Sequence, residues 1–319
     1  MGFNGSRIGK INTSTLASAS GVWSVNEVHL GRQQDTWPVT DGFNVDVLLV
    51  GGGGGGGSTI GAGAGAGGIL IGTLRVNKAT TYAVVIGAGG SQEANGNSSS
   101  AFNVTAYGGG GSRGYTTSPT LLPGFPGGSG GGGSGTRPNG ATSNGGAATQ
   151  TNQSGFTGYG FAGGIGTSSG DPIQPAGGGG AGELGENGIR TGTTRAGAGG
   201  NGIFNSYRTD VNVGYGGGGN GYSYNSGAIA PDKRATYGGG TAVAQGTSSA
   251  GVANTGGGGG GGGFFNSPSV GGTGGSGICV VRYLSPQKAT GGTVTTYTSN
   301  SDGKSYVVHT FLSTSSFIT

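Results

Sequence analysis

Val45-Asp46-Val47-Leu48-Leu49-Val50 runs straight into seven consecutive glycines, Gly51 to Gly57. A short apolar, β-branched run reads as a strand, and no turn separates this one from the glycines. The junction recurs in reverse near the other end. There Gly271-Gly272-Thr273-Gly274-Gly275-Ser276-Gly277 feeds Ile278-Cys279-Val280-Val281-Arg282-Tyr283. Residues 108–277 lie between such strands and are dominated by glycine. The fold therefore turns on what a chain with 86 Gly in 319 residues can build.

Glycine has no side chain to bury, and ordering its backbone costs roughly 0.5–1 kcal/mol more than ordering alanine. Hydrophobic residues are 31% and charged residues 8%. That is too little apolar material for a core spread evenly through the chain, and too little charge for disorder by repulsion. Backbone hydrogen bonds must compensate, at about 1 kcal/mol net each. Collagen is excluded, because the glycines keep no three-residue phase and only 10 prolines are present. Gly61-Ala62-Gly63-Ala64-Gly65-Ala66 suits a silk-like sheet, and any glycine tract suits a flexible linker. Aromatic and non-repetitive polar segments interrupt the tracts, however, and linkers rarely contain them. The composition favours a bundle of extended three-fold helices with polyproline-II-like dihedrals. Such helices have no internal hydrogen bonds, so without side chains they approach closely and bond laterally. Silk-like sheet and disordered linker stay as the competing readings.

Outside the tracts the strands are legible. Residues 69–76 and 81–86 flank Asn77-Lys78-Ala79-Thr80 and read as a hairpin. Residues 101–107 read as one alternating strand, and residues 278–284 return to the same sheet. The expected core is Val45, Val47, Leu49, Leu70, Val84, Ile86, Phe102, Val104, Val280 and Tyr283. In the tail, Ser301-Asp302-Gly303 between two alternating runs predicts a second hairpin. Ser316-Phe317-Ile318-Thr319 has strand character and no evident partner. At the N-terminus, Ser24-Val25-Asn26-Glu27 fits a capping box and predicts a short helix flanked by Trp23 and Trp37. Half an exposed apolar helix is a poor monomer surface, so Trp23, Val25, Val28, Leu30 and Trp37 are candidate docking residues; packing on the chain's own domain is the competing reading.

The fold class expected is mostly β and irregular: a small antiparallel β-sandwich carrying a bundle of polyglycine-II helices, with a short N-terminal helix and a C-terminal β-hairpin. Residues 1–43 form a docking module and 44–285 the glycine-rich domain. Within the latter the sandwich takes 44–107 and 278–284, and the bundle 108–277. Residues 286–319 form the tail.

Chemistry is sparse. Gly-x-Gly-x-x-Gly recurs by composition alone, and Gly303-Lys304-Ser305 lacks the glycine that a phosphate loop needs five positions earlier, where Thr298 stands. His29 and His309 are the only histidines, and Cys279 the only cysteine, so no metal site and no cofactor are expected. Cys279 lies in an apolar strand and reads as a buried, inert thiol. Glu183 and Glu186 stand without a base or nucleophile nearby, which argues against an enzyme. A net charge of +4 spread over scattered residues makes no nucleic-acid stripe. The apolar runs are strand-sized, so neither a secretory segment nor membrane insertion is expected.

Three stretches together resemble the glycine-rich tail and structural proteins of bacteriophages that infect marine cyanobacteria. One is Ser20-Gly21-Val22-Trp23-Ser24-Val25-Asn26-Glu27-Val28 with Trp37-Pro38, the most specific of the three. Another is the strand–glycine junction at 45–57. The third is residues 274–283, followed by Ala289-Thr290-Gly291-Gly292-Thr293-Val294-Thr295 and His309-Thr310-Phe311. The resemblance covers nearly the whole chain. It implies a virion protein, assembled in the host cytoplasm, that attaches to other virion proteins through its N-terminal module and leaves a homo-oligomer open. Similar domains in tail-fibre adhesins hold polyglycine-II bundles whose loops bind a host surface glycan or outer-membrane protein. The glycine-rich extracellular region of certain receptor tyrosine kinases is similar in plan, which bears on fold and not on function. One departure is that the His-Thr-Phe hairpin follows the glycine-rich domain here, where in phages it commonly leads into one. The candidate receptor-binding residues are the aromatics between glycine clusters: Tyr159, Phe161, Tyr207, Tyr222, Tyr224, Tyr237, Phe264 and Phe265. The alternative is a non-catalytic structural or decoration protein of capsid or tail, whose rings only plug the bundle.

Overall fold

The computed structural model describes residues 26, 27, 29, 42–115, 122–135, 141–168, 173–189, 195–223, 236–264 and 269–319. Asn26, Glu27 and His29 have helical backbone; the rest of the expected N-terminal helix, with Trp23, Val25, Val28, Leu30 and Trp37, lies outside the described residues. The strands in chain order are β1 (Gly42–Val50), β2 (Ile69–Asn77), β3 (Thr81–Val85), β4 (Ser99–Ala101) and β5 (Val104–Ala106). Then come β6 (Ala141–Ser143), β7 (Phe156–Tyr159), β8 (Gly166–Ser168), β9 (Ile203–Asn205) and β10 (Val213–Tyr215). The last are β11 (Ile278–Leu284), β12 (Thr293–Thr298), β13 (Ser305–Phe311) and β14 (Ser315–Ile318).

Two antiparallel sheets face each other, with strand orders β12-β13-β11-β1-β2-β7 and β14-β3-β4-β5. Their shared core holds Val45, Val47, Leu49, Leu70, Val84, Phe102, Val104 and Tyr283, with Ile86 packed against it. Alternate residues of a strand point to opposite faces, and this puts Val280 on the other side of the large sheet, with Leu48, Val50 and Ile278. The expectation for Val280 is corrected accordingly.

Two local expectations change in the same way. β2 pairs with β1 and β7, whereas β3 pairs with β4 and β14. The turn Asn77–Thr80 therefore carries the chain from one sheet to the other instead of closing a hairpin. Residues 101–107 are not one strand: Phe102 and Asn103 both take positive φ, 51° and 61°, and fold β4 back on β5. Positive φ at both central residues matches the twist of a tight hairpin. A bulky residue tolerates it here because the Phe102 ring is held against Tyr82 and Phe317, at centroid distances of 5.1 and 5.9 Å.

The tail belongs to the sandwich. β12 and β13 form the expected hairpin, and β13 also pairs with β11. β14, which shows no partner in sequence, pairs with β3, Phe317 opposite Tyr82. Phe317 is fully buried.

The three central strands of the large sheet continue directly into glycine rods. β1 runs out into 51–57, rod 61–68 runs into β2, and rod 271–277 runs into β11. The hydrogen bonds of rod 51–57 show its geometry. Gly51, Gly54 and Gly57 donate N–H to Gly68, Gly65 and Ala62; Gly52 and Gly55 donate to Asn97 and Ala94; Gly53 and Gly56 donate to Gly275 and Gly272, all at 2.8–3.0 Å. Residues three apart reach the same neighbour, whereas a pleated strand repeats every two. Its carbonyls accept from three further segments: Gly109 and Ser112 bond Gly52 and Gly55, Gly90 and Glu93 bond Gly53 and Gly56, and Gly259 and Gly262 bond Gly54 and Gly57. The rod is thus a three-fold helix surrounded on all sides.

The same three-residue pattern joins the clusters at 127–133, 176–180, 216–222 and 256–262. The bundle starts well before residue 108, since 51–57, 61–68 and the two rods on either side of Glu93 all belong to it. The Gly-Ala alternation is one of these rods. Ala62, Ala64 and Ala66 are fully buried among its neighbours, and a silk-like sheet is not formed there.

Candidate functional site

Rods are anchored at the sandwich and end away from it. Seven residues at about 3.1 Å each put the end of rod 51–57 about 20 Å from the sheet. The loops at that outer end are the candidate functional surface, and the candidate aromatics divide between the two ends.

Tyr159 lies in β7, paired opposite Ile69. Tyr207 covers the outer face of the large sheet, with the Arg282 guanidinium 4.0 Å from its ring centre. That guanidinium also bonds Asp46 at 3.1 Å and the Tyr297 hydroxyl at 2.9 Å. Burial raises the pKa of Tyr207, and the Asp46 charge raises it further. Tyr237 packs edge-on to Phe204 near the β9–β10 hairpin, centroids 4.8 Å apart. These three hold the sandwich end together. Phe161 is 40% exposed on the flank, where its N–H donates to Gly180 and its C=O accepts from Gly130. Tyr222 is at the outer end, its N–H bonded to Gly61 C=O, with a buried side chain. Phe264 is at the outer end and 39% exposed. Tyr224 and Phe265 lie outside the described residues.

Beside rod 51–57 the outer end carries a concave site of about 390 Å3, lined by Ser58, Glu93, Arg113, Gly114, Tyr115, Leu122 and Phe125. Four chain segments build it. Ser58 follows the first rod, Glu93 sits in the turn between two rods, Arg113 and Tyr115 end a third, and Phe125 lies on the return. Glu93, with a φ of 62°, sits at that turn and lines the site. Its Oε1 accepts from Ser58 N–H at 2.9 Å, Ser58 Oγ at 2.5 Å and Gly114 N–H at 3.1 Å. Tyr115 N–H donates to Thr59 C=O at 2.8 Å. The Arg113 guanidinium lies 4.5 Å from the centre of the Phe125 ring, and among the described residues it makes no ion pair. Composition hid this site: its residues are 67 positions apart at the extremes (Ser58 to Phe125), and only the hydrogen-bonded rods bring them together. The outline of Arg113 and Tyr115 just past a glycine cluster was the one available signal.

Among the described residues, two acidic side chains that stood out in the sequence have structural partners. Glu186 bonds Arg195, Oε2 to Nη1 at 2.6 Å, and Glu183 accepts from Asn201 Nδ2 at 2.7 Å. Cys279 is buried, and burial pushes its thiol up to about 12. Among the described residues no cluster of His, Cys, Asp and Glu could hold a metal ion, and no helix is long and apolar enough to cross a membrane.

Comparison with curated proteins gives no match, and comparison with solved structures gives none either. The glycine-rich domain family matches residues 29–284, which takes in both strand–glycine junctions, all the rods and β11. By that match, over most of its length, the chain belongs to the glycine-rich domain family.

Proposed function

We propose that this chain is a bacteriophage virion protein, a tail-fibre or tail-tip adhesin that meets the host cell surface with the outer end of its glycine bundle. The observation that carries the reading is the outer end itself. Loops and a concave site of about 390 Å3 sit on rods whose backbone is fixed on both sides, so they present groups to a partner at little ordering cost. Phe264, 39% exposed at the same end of the bundle, is the kind of aromatic residue that carries binding energy. The likeness of the N-terminal tryptophan segment to phage tail proteins supports the virion setting, with residues 1–43 as the attachment module. A host glycan or outer-membrane protein is the partner in this reading, and no catalysis is involved.

A second reading, a structural or decoration protein of capsid or tail, is favoured by the aromatics that pack inward. Tyr159, Tyr207, Tyr222 and Tyr237 all contact the protein's own framework. Fluorescently labelled protein, added to a panel of marine cyanobacteria, separates the two. Saturable binding that falls about thirtyfold in Phe264→Ala, with an unchanged melting temperature, is the adhesin result. Absence of binding to any strain, together with labelling of capsids in intact particles, supports the structural reading instead. Removal of residues 1–43 is expected to abolish incorporation into particles while leaving cell binding intact.

A further inference from the structure

We infer that the site between Ser58, Glu93, Arg113, Tyr115 and Phe125 binds a sugar residue that carries a carboxylate. This deepens the adhesin reading and rests on it for its biological role, although the binding is a property of the pocket.

The guanidinium of Arg113 lies over the Phe125 ring, 4.5 Å from its centre, a cation–π contact that restrains it. A planar, pre-set fork matches a carboxylate through two parallel hydrogen bonds. No carboxylate of the described residues occupies it. Glu93 lines the same cavity, and its Oε1 is already committed to Ser58 and Gly114. Its Oε2 has no partner among the described residues and can only accept while the group is ionised. A fully deprotonated anion such as sulfate would meet Arg113 but bring no hydrogen for Glu93 Oε2 to accept. A polyol bearing a carboxylate satisfies both, with the acid group on Arg113 and a hydroxyl donating to Glu93 Oε2. Tyr115 also lines the cavity and brings a hydroxyl that can donate or accept, and Leu122 and Phe125 bring apolar surface. The volume, about 390 Å3, is at the small end of ligand pockets and suits one or two sugar rings.

The rods make this arrangement rigid. Arg113 C=O accepts from Ala62 N–H at 3.2 Å, and Phe125 is held by Gly111 and Gly131 through its N–H and C=O. The backbone that carries Arg113 and Phe125 is therefore in place before a ligand arrives, and the Glu93 carboxylate is held by Ser58 and Gly114.

Isothermal titration of the full chain with trigalacturonate, neutral galactotriose and triglutamate tests the inference. Trigalacturonate is expected to bind at least tenfold tighter than either of the others. Arg113→Gln is expected to lose about tenfold or more of that affinity at an unchanged melting temperature. Arg113→Lys keeps the charge without the fork and is expected to fall between. Equal binding of the neutral and acidic sugars overturns the carboxylate assignment, as does wild-type affinity in both Arg113 variants. Tighter binding of triglutamate overturns the sugar and assigns an acidic peptide. No binding of any of the three overturns the site. If Arg113→Gln fails to fold, the comparison of ligands on the wild type and Arg113→Lys decides. Cell binding without sugar binding sinks this inference and leaves the adhesin reading standing; sugar binding without cell binding does the reverse.

Discussion

His309 is fully buried against Tyr283 and Phe317, and both ring nitrogens are used. Nδ1 faces Gly291 C=O at 2.7 Å, so it must carry the proton and donate. Nε2, 2.9 Å from the Tyr283 hydroxyl, then accepts. That hydroxyl in turn accepts from the N–H groups of Lys288 and Ala289, each at 3.1 Å. Every member of the network is satisfied only while the ring is neutral. Burial accordingly lowers the His309 pKa from its ordinary 6.5, against an opposing pull from the Gly291 carbonyl. The unfolded chain takes up this proton near pH 6.5 and the folded one does not, so stability rises with pH across that region. The contribution is present above about pH 6.5 and is lost as the pH falls below it. Melting temperature measured from pH 8 to pH 5 is expected to drop below about pH 6.5, and the slope there is expected to flatten in His309→Gln. An unchanged slope in that variant would show that another group is responsible. Asp210 and Asp302 have lowered pKa values, through bonds from Asn300 and Lys304 N–H respectively. Their losses come only in the more acid carboxylate range, so the two windows are separable.

At the scale of the element, a glycine rod works because of what it omits. Gly51 to Gly57 do not need a left-handed backbone; none of the seven has positive φ. What they need is approach. A Cβ on Gly259 would lie well inside contact distance of the Gly272 carbonyl oxygen, and a neighbouring backbone cannot move aside as a flexible side chain can. One lateral bond per residue, at about 1 kcal/mol net, offsets the roughly 0.5–1 kcal/mol that each glycine adds to the ordering cost. Gly259→Val is therefore expected to separate the rods and unfold the chain at room temperature. Gly246→Ala is the control: it meets open space, although at a φ of 81°, and is expected to cost only about 1–2 kcal/mol. Alkylation of Cys279 reads the difference. A thiol buried at 0% exposure with its pKa near 12 reacts only when the structure opens. Slow alkylation of Gly259→Val, at the wild-type rate, would defeat the close-approach argument.

At the scale of the whole molecule, sandwich and bundle share their backbone. β1, β2 and β11 are continuous with rods 51–57, 61–68 and 271–277, and Ser99 Oγ ties the two together by donating to Val50 C=O at 2.7 Å. The β9–β10 hairpin and Ala181 close the outer face of the large sheet over Leu48, Val50 and Ile278. The opposite face is closed partly by the last strand, whose Phe317 meets Phe102, Tyr283 and His309 at centroid distances of 5.9, 6.5 and 5.1 Å. Phe317→Ala is expected to cost about 3–5 kcal/mol, and to do so for the bundle as well as the sandwich. Calorimetry of wild type and variant should each show one transition, with calorimetric and van't Hoff enthalpies in agreement. A split into two transitions would mean that the bundle stands without its sandwich.

The sequence by itself determined the strands and favoured one kind of structure for the glycines. Rods bonded to one another were the reading that best used so many glycines with so few apolar residues, over a silk-like sheet or a linker, and the runs at 45–50, 69–76 and 278–284 are strands in any reading. The hairpin over Asp302-Gly303 was equally legible, because its signal is local. Tertiary structure alone decided which strands share a sheet, which rods are neighbours and which loops face outward. β14 pairs with β3 across more than 230 residues, and nothing in Ser316-Phe317-Ile318 names that partner. The same limit hid the pocket of Arg113, Glu93 and Phe125. The physical reason is that every glycine offers the same N–H and the same C=O, so a lateral bond carries no record of the rod it joins. Neighbours are selected by loop lengths and by the few side chains at rod ends, and those act only once the bundle is assembled.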